Sequence, residues 1–159
     1  MNRQQHMLMK ILQKIRIFHG LEIAEAQILL GFSFMKQFSK GDVIYERGNP
    51  SDDMLVLILG RLKVVGEDGR GLVDIPPGTS IGEMGLFTGQ PRSATIVAVD
   101  KSAGLVFSKE KIDALMRSEV HLKGIIMENL MALMSERLVE ADRKMEEYRQ
   151  KIVELGGEI

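Results

Sequence analysis

Apolar residues along the chain follow three rhythms in succession. In the first, Met7, Ile11, Ile15 and Phe18 recur at helical spacing with Lys10, Lys14 and Arg16 between them, which predicts a short amphipathic helix. A second short helix is expected over residues 22–30, stopped by Gly31 as a C′ residue. From residue 32 to 107 the rhythm shortens. Apolar runs fall at 43–45, 54–59, 62–65, 72–75, 94–99 and 105–107, separated by Lys40-Gly41-Asp42, Gly48-Asn49-Pro50-Ser51, Gly66-Glu67-Asp68-Gly69, Pro76-Pro77-Gly78 and Asp100-Lys101-Ser102. Strands spaced about ten residues apart by turn residues indicate an all-β sandwich, roll or barrel. Within it, Leu62 and Val64 flank Lys63 as in a half-buried strand. The run 54–59 is apolar throughout and belongs in mid-core, and Asp68-Gly69 suits a hairpin turn.

The third rhythm is helical again. Residues 109–117 read as a short helix capped by Ser108, and 122–155 as a long one with no proline and no glycine after Gly124. On the long helix Met127, Met131, Met134, Leu138, Ala141, Met145, Tyr148, Ile152 and Leu155 follow steps of four and three without a break. That is a heptad seam. A second stripe, Ile126, Leu130 and Leu133, exists only in the first half. The first half therefore packs on its own domain, and the seam calls for a second copy of itself, a homodimer. In a parallel pair Arg137 could reach Asp142 of the other copy, while Lys144 and Arg149 would repel.

Composition narrows the function. The chain has 159 residues, 21 Lys+Arg against 22 Asp+Glu and no cysteine. The balance argues against polyanion binding by charge alone, so direct DNA binding is not expected. The absence of thiols suits a reducing compartment, here the cytoplasm. No run approaches the ~20 apolar residues of a membrane span, and a role for the basic first helix at a membrane surface is the lesser alternative to its lying over the domain. His6, His19 and His121 are widely separated, so neither a zinc site nor a catalytic triad is supported and no enzyme is expected. Asp52-Asp53 reads as a solvated turn, and the loop 66–71 lacks Walker spacing.

The chemistry is concentrated in residues 81–95, Ile81-Gly82-Glu83-Met84-Gly85-Leu86-Phe87 through Pro91-Arg92-Ser93-Ala94-Thr95. Gly82 and Gly85 permit close backbone approach, and 84–87 is long enough for one helical turn whose free N–H groups suit an anion. Pro91 fixes the chain ahead of Arg92, whose planar fork matches two phosphate oxygens. Glu83 repels phosphate but accepts hydrogen bonds from hydroxyls such as those of ribose. An acid for a sugar and an arginine for a phosphate describe a nucleotide site.

These residues resemble the phosphate-binding cassette of cyclic nucleotide-binding domains, the family of catabolite-activator-type regulators, cyclic-nucleotide-dependent kinase regulatory subunits and gated channels. The resemblance runs from about residue 18 to 140 and takes in Gly41, Gly48 and Gly60. It implies an α+β fold: an eight-stranded, jelly-roll-like β-roll at 32–108, N-terminal helices at 1–31, a one-turn cassette helix, and a hinge helix plus long dimerisation helix at 109–159. It implies that Glu83 binds the ribose 2′-hydroxyl, with Gly82 and Met84 offering backbone. Arg92 would clamp the cyclic phosphate with the N–H groups of Ser93 and Ala94, and Ile81 and Val73 would wall the nucleoside. Ser93 after the arginine leans toward cAMP over cGMP. The positions that read the base in activator-type members fall near Ala141 and Asp142; Asp142 would read the base or merely pair with Arg137. The implied role is that of a stand-alone receptor without a DNA-binding domain and without a cofactor. It would rearrange its C-terminal helix on binding cAMP or cGMP and signal to an unknown protein. The alternative is a nucleotide-independent scaffold with a degenerate pocket, in which Glu83 and Arg92 pair with each other.

Overall fold

A computed structural model describes residues 2–156. The chain opens with α1 (Arg3–Lys14), capped by a reciprocal Asn2–Gln5 box. A 3-10 turn (Arg16–Phe18) and α2 (Ile23–Gly31) follow. Next come β1 (Ser33–Phe38), β2 (Val43–Tyr45), β3 (Asp53–Leu59), β4 (Leu62–Val65), β5 (Gly71–Ile75) and β6 (Ser80–Ile81). Then α3 (Glu83–Thr88), β7 (Thr95–Ala98), β8 (Ser102–Ser108), α4 (Lys109–Ser118) and α5 (Val120–Glu154) complete it. The strands form two four-stranded antiparallel sheets, in the orders β1-β8-β3-β6 and β2-β7-β4-β5. This is the expected eight-stranded roll with flanking helices.

The middle strands of the first sheet, β8 and β3, are buried on both faces, which explains why β3 carries no polar alternation. Met54 and Val56 point into a core shared with the helices, where Phe18 meets Phe107 at 5.6 Å between ring centroids. Leu55 and Leu57 point the other way, against Leu62, Ile75 and Ile96 of the second sheet. The apolar run overshoots its burial by two residues: Ile58 is half-buried and Leu59 is exposed. The Asp68-Gly69 hairpin joins β4 to β5, with Gly69 at φ +74° as the tight turn requires.

Two strands lie outside the apolar runs. β1 sits at a sheet edge with four exposed residues in succession, and β6 is two residues long, so neither leaves a hydrophobic signature. The first helix also differs from expectation. It ends at Lys14, and Ile15 leaves helical geometry as its cap. The face it buries is Leu8, Met9 and Leu12, while Met7 is exposed. Ile15 and Phe18 are buried, but by the 3-10 turn rather than by a continuous helix.

That turn is a socket for α5. The Asn129 side chain donates to the carbonyls of Ile17 and His19 at 3.2 and 2.7 Å, and Arg16 pairs with Glu136. Leu122, Ile126, Leu130 and Leu133 of α5 are buried, the second stripe read from the sequence. After Met134 every described residue of α5 is exposed, including Met131 before it and Leu138, Met145 and Tyr148 beyond. No helix of the described chain is long and apolar enough to cross a membrane.

Candidate functional site

The site is assembled where β6 runs into α3 and the chain returns through Pro91 to β7. Gly82 is the N-cap of α3 at φ +82°, a left-handed conformation that costs glycine nothing. A Cβ there would stand 2.5 Å from Arg92 Nη1 and 2.8 Å from the Tyr45 ring, so glycine is what admits the arginine. Glu83, the first helical residue, is 1% exposed. Leu86 anchors α3 in the helical core, and Gly89 ends the helix at φ +72°.

Backbone hydrogen bonds set the position of Arg92. Its N–H donates to Asn49 O at 2.8 Å, and its carbonyl accepts from Gly48 N–H at 2.9 Å. The β2–β3 loop thus holds the arginine under α3. Ser51 donates to Gln90 O at 2.7 Å, closing the same loop on the cassette. On the far side, Lys109 Nζ donates to Leu86 O at 3.1 Å, and Lys109 N–H to Asp52 O at 2.8 Å. The start of α4 is therefore wired to the end of α3.

These elements enclose a cavity of about 590 Å³, within the range that suits a small ligand. Glu83, Arg92, Ser93 and Ala94 line it, as do Gly82 and Met84. Ile81 and Val73 contribute to its apolar wall together with Val64 and Ile96. Asp142 does not: it lies on the exposed outer part of α5, away from the cavity of its own chain. Of the seam residues, Met127 and Met134 are half-buried, and Met131, Leu138, Ala141, Met145, Tyr148 and Ile152 are exposed.

Glu83 and Arg92 have each found an unforeseen partner. Glu83 and Arg92 do not pair with each other. Arg137, reaching in from α5, brings Nη2 to 2.6 Å from Glu83 Oε1. The approach is close but poorly aligned, so both buried carboxylate oxygens of Glu83 lack a hydrogen-bond donor among the described residues. Arg92 Nη2 donates to Asp53 Oδ1 at 2.9 Å, its Nη1 to Gly82 O at 3.3 Å, and its guanidinium lies 3.5 Å from the centroid of the Tyr45 ring. The Tyr45 phenol donates to the same Asp53 oxygen at 2.7 Å. Burial, together with the charge of Asp53, pushes the phenol well above its ordinary pKa, so it stays a donor.

Asp53 is accordingly no solvated turn. It is the first residue of β3 and the counter-ion of Arg92. The signal was a carboxylate heading a fully apolar strand, where a charge needs a partner. Arg137 was legible too: it continues the buried stripe Ile126, Leu130, Leu133 by one further step of four. Tyr45 carried no signal beyond ending an apolar run.

A buried carboxylate faced by a cation but by no aligned donor still gains from a hydroxyl donor, and a buried guanidinium with free N–H donors suits an oxyanion. The cavity is thus built for a small ligand carrying a hydroxyl and an anionic group with an apolar body. Among the described residues no group of three His, Asp or Glu is placed to hold a metal ion.

Comparison with known proteins agrees. The chain is 29% identical over 134 residues to the cyclic AMP receptor protein of Thermus thermophilus, an overlap covering 82% of this chain and 60% of that protein. It spans less than two thirds of the length of the curated relatives it matches. Its fold superposes on the Thermus thermophilus catabolite activator protein with a TM-score of 0.73 and 28% identity, over 84% of this chain and 63% of that one. A cyclic nucleotide-binding domain from Methylobacillus flagellatus matches at TM-score 0.77 and 23% identity, over 91% and 84% of the two chains. Residues 35–119, more than half of the chain, match the family model of the cyclic nucleotide-binding domain, and the chain belongs to that family.

Proposed function

We infer that the protein is a cyclic nucleotide receptor, preferring cAMP and accepting cGMP second, that passes occupancy to a partner protein through its C-terminal helix. The observation that carries this reading is Glu83, a buried carboxylate in the same 590 Å³ cavity as Arg92, faced by the Arg137 cation but with no aligned hydrogen-bond donor among the described residues. A ribose 2′-hydroxyl satisfies the acid, the cyclic phosphate takes the free N–H donors of Arg92 with the amides of Ser93 and Ala94, and the nucleoside lies on Val73 and Ile81. Ser93 and the resemblance to a cyclic AMP receptor protein support cAMP as the first ligand.

Two links lead outward from the site. Arg137 ties Glu83 to α5, and Lys109 ties α3 to α4. A hydroxyl bound to Glu83 changes what Arg137 pairs with, at the point where α5 leaves the domain. The nucleotide acts by binding the two arrangements of these helices unequally, since it shifts their equilibrium only by that difference. Supporting a homodimer as the output is the exposed seam of Leu138, Ala141, Met145, Tyr148 and Ile152, on the outer part of α5, where every described residue is exposed and the helix is marginal in isolation. Because Asp142 lies outside its own pocket, it would read a base only across that dimer or after α5 moves. A cytoplasmic location is part of the same reading.

Calorimetric titration with cAMP and with cGMP tests the function. Saturable binding of one nucleotide per chain, tighter for cAMP, is expected. No heat from either would favour a nucleotide-independent dimerisation module.

A further inference from the structure

Arg92 is held more elaborately than a phosphate ligand requires. Its side chain is 6% exposed, and a buried cation with no counter-charge is strongly destabilising. Asp53 supplies the counter-charge at 2.9 Å, while Tyr45 donates to the same Asp53 oxygen and stacks under the guanidinium. Tyr45 and Arg92 line the cavity; Asp53 does not. The carboxylate therefore stands behind the arginine and leaves the ligand's space free. Two of the five guanidinium N–H groups are spent on Asp53 and Gly82, which leaves three for an oxyanion.

Resting on the receptor reading above, we propose that Asp53 is a built-in counter-anion that, with Tyr45, positions Arg92 and holds the site's affinity for a cyclic phosphate below what the arginine alone would give. When the nucleotide is bound, one cation faces two anions, the carboxylate behind and the phosphate in front. They repel each other through a partly desolvated site where screening by salt is weak. Tyr45 moderates that repulsion, because its phenol withdraws part of the Asp53 charge into a hydrogen bond. The arrangement exchanges ligand affinity for stability of the empty pocket.

The experiment uses Asp53→Asn, which keeps size and acceptor but removes charge, and Tyr45→Phe, which keeps the ring but removes the donor. Each is titrated with cAMP calorimetrically and melted without ligand. Asp53→Asn is expected to bind cAMP at least about fivefold more tightly than wild type while melting at a lower temperature. Tyr45→Phe is expected to bind about two- to fivefold more weakly. In the double variant the phenylalanine should change affinity less than twofold, because the charge it exposed is gone. A merely structural role would weaken binding and stability together, so the opposite signs are the signature. If Asp53→Asn does not fold, Asp53→Thr serves the same comparison. Equal or weaker cAMP binding by the neutral variant, with wild type binding normally, overturns this inference and leaves the receptor reading standing. A wild type that gives no saturable heat overturns both.

Discussion

Arg92→Ala is expected to weaken cAMP binding by about 100- to 1000-fold, with the fold intact. The magnitude follows from two losses. The phosphate forfeits charge-assisted hydrogen bonds from a planar fork, and it is left as a charge without its partner in a half-open cavity, which places the loss toward the lower end of the about 3–5 kcal/mol that breaking a buried pair costs. At about 1.4 kcal/mol per decade, even the lower half of that range gives two orders of magnitude. Arg92→Lys should recover part of the affinity, because it restores the charge but neither the planar two-pronged fork nor the flat face against Tyr45. The fold survives because the backbone bonds of residue 92 to Gly48 and Asn49 do not depend on its side chain. The stranded carboxylate of Asp53 is about one third exposed and can be solvated. Calorimetry gives the affinity ratio, and a melting curve within a few degrees of wild type confirms folding. An alanine variant that binds within about threefold of wild type would place the phosphate elsewhere.

The second large effect concerns the exposed helix. Leu138→Asp is expected to convert a homodimer into monomers at micromolar concentrations, weakening association at least about 100-fold, because the seam meets its own copy and each substitution is felt twice. Leu138 is 64% exposed in the single chain, so the monomer itself should lose almost no stability. Val139 provides the control. It is equally exposed at 65% but lies off the four-and-three spacing, on the outer side of the seam. Val139→Asp should leave the oligomeric state unchanged. Sedimentation equilibrium distinguishes the cases. Wild type sedimenting as a monomer at tens of micromolar, or both aspartates acting alike, would remove the seam from the account.

How much of this was legible in advance depended on whether a residue's role was local. The cassette was readable as a single place because its parts, from Gly82 to Ala94, are neighbours in sequence, and they line one cavity. The inner stripe of α5 was readable because burial repeats with the helical period. β3 was readable as mid-core because a strand covered on both faces needs no polar alternation. By contrast Tyr45, Asp53 and Arg137 act through tertiary contact: the charge heading β3 and the extension of the buried α5 stripe mark Asp53 and Arg137 as needing partners, but not which ones. They are brought to the site from β2, β3 and α5, across separations that no spacing rule connects. The face of α1 was misplaced by one residue for a similar reason: the helix stops at Lys14, so Ile15 and Phe18 are buried by a turn and do not define a helical stripe. The edge strand β1 left no continuous apolar run because Lys36 and Gln37 interrupt it between Met35 and Phe38.

The reading of Arg137 shows how such misses alter function. As a surface residue of a coiled coil it would serve dimerisation alone. Placed 2.6 Å from Glu83, it joins the ligand's acid to the helix that carries the seam. In the receptor reading proposed above, sensing and assembly would meet in this ion pair, one turn beyond the last buried residue of α5, Leu133.

The central claim, that a cyclic phosphate is held by Arg92 and the following amides while Glu83 takes the ribose, is tested most directly by nuclear magnetic resonance of the labelled chain during a cAMP titration. The side-chain Nε–H of Arg92 and the backbone N–H groups of Ser93 and Ala94 are expected to shift downfield, saturably and with one shared dissociation constant. 2′-Deoxy-cAMP should shift the same three signals but require at least about tenfold more ligand. Saturable binding that leaves those three signals in place, or equal affinity for the two nucleotides, would contradict the account.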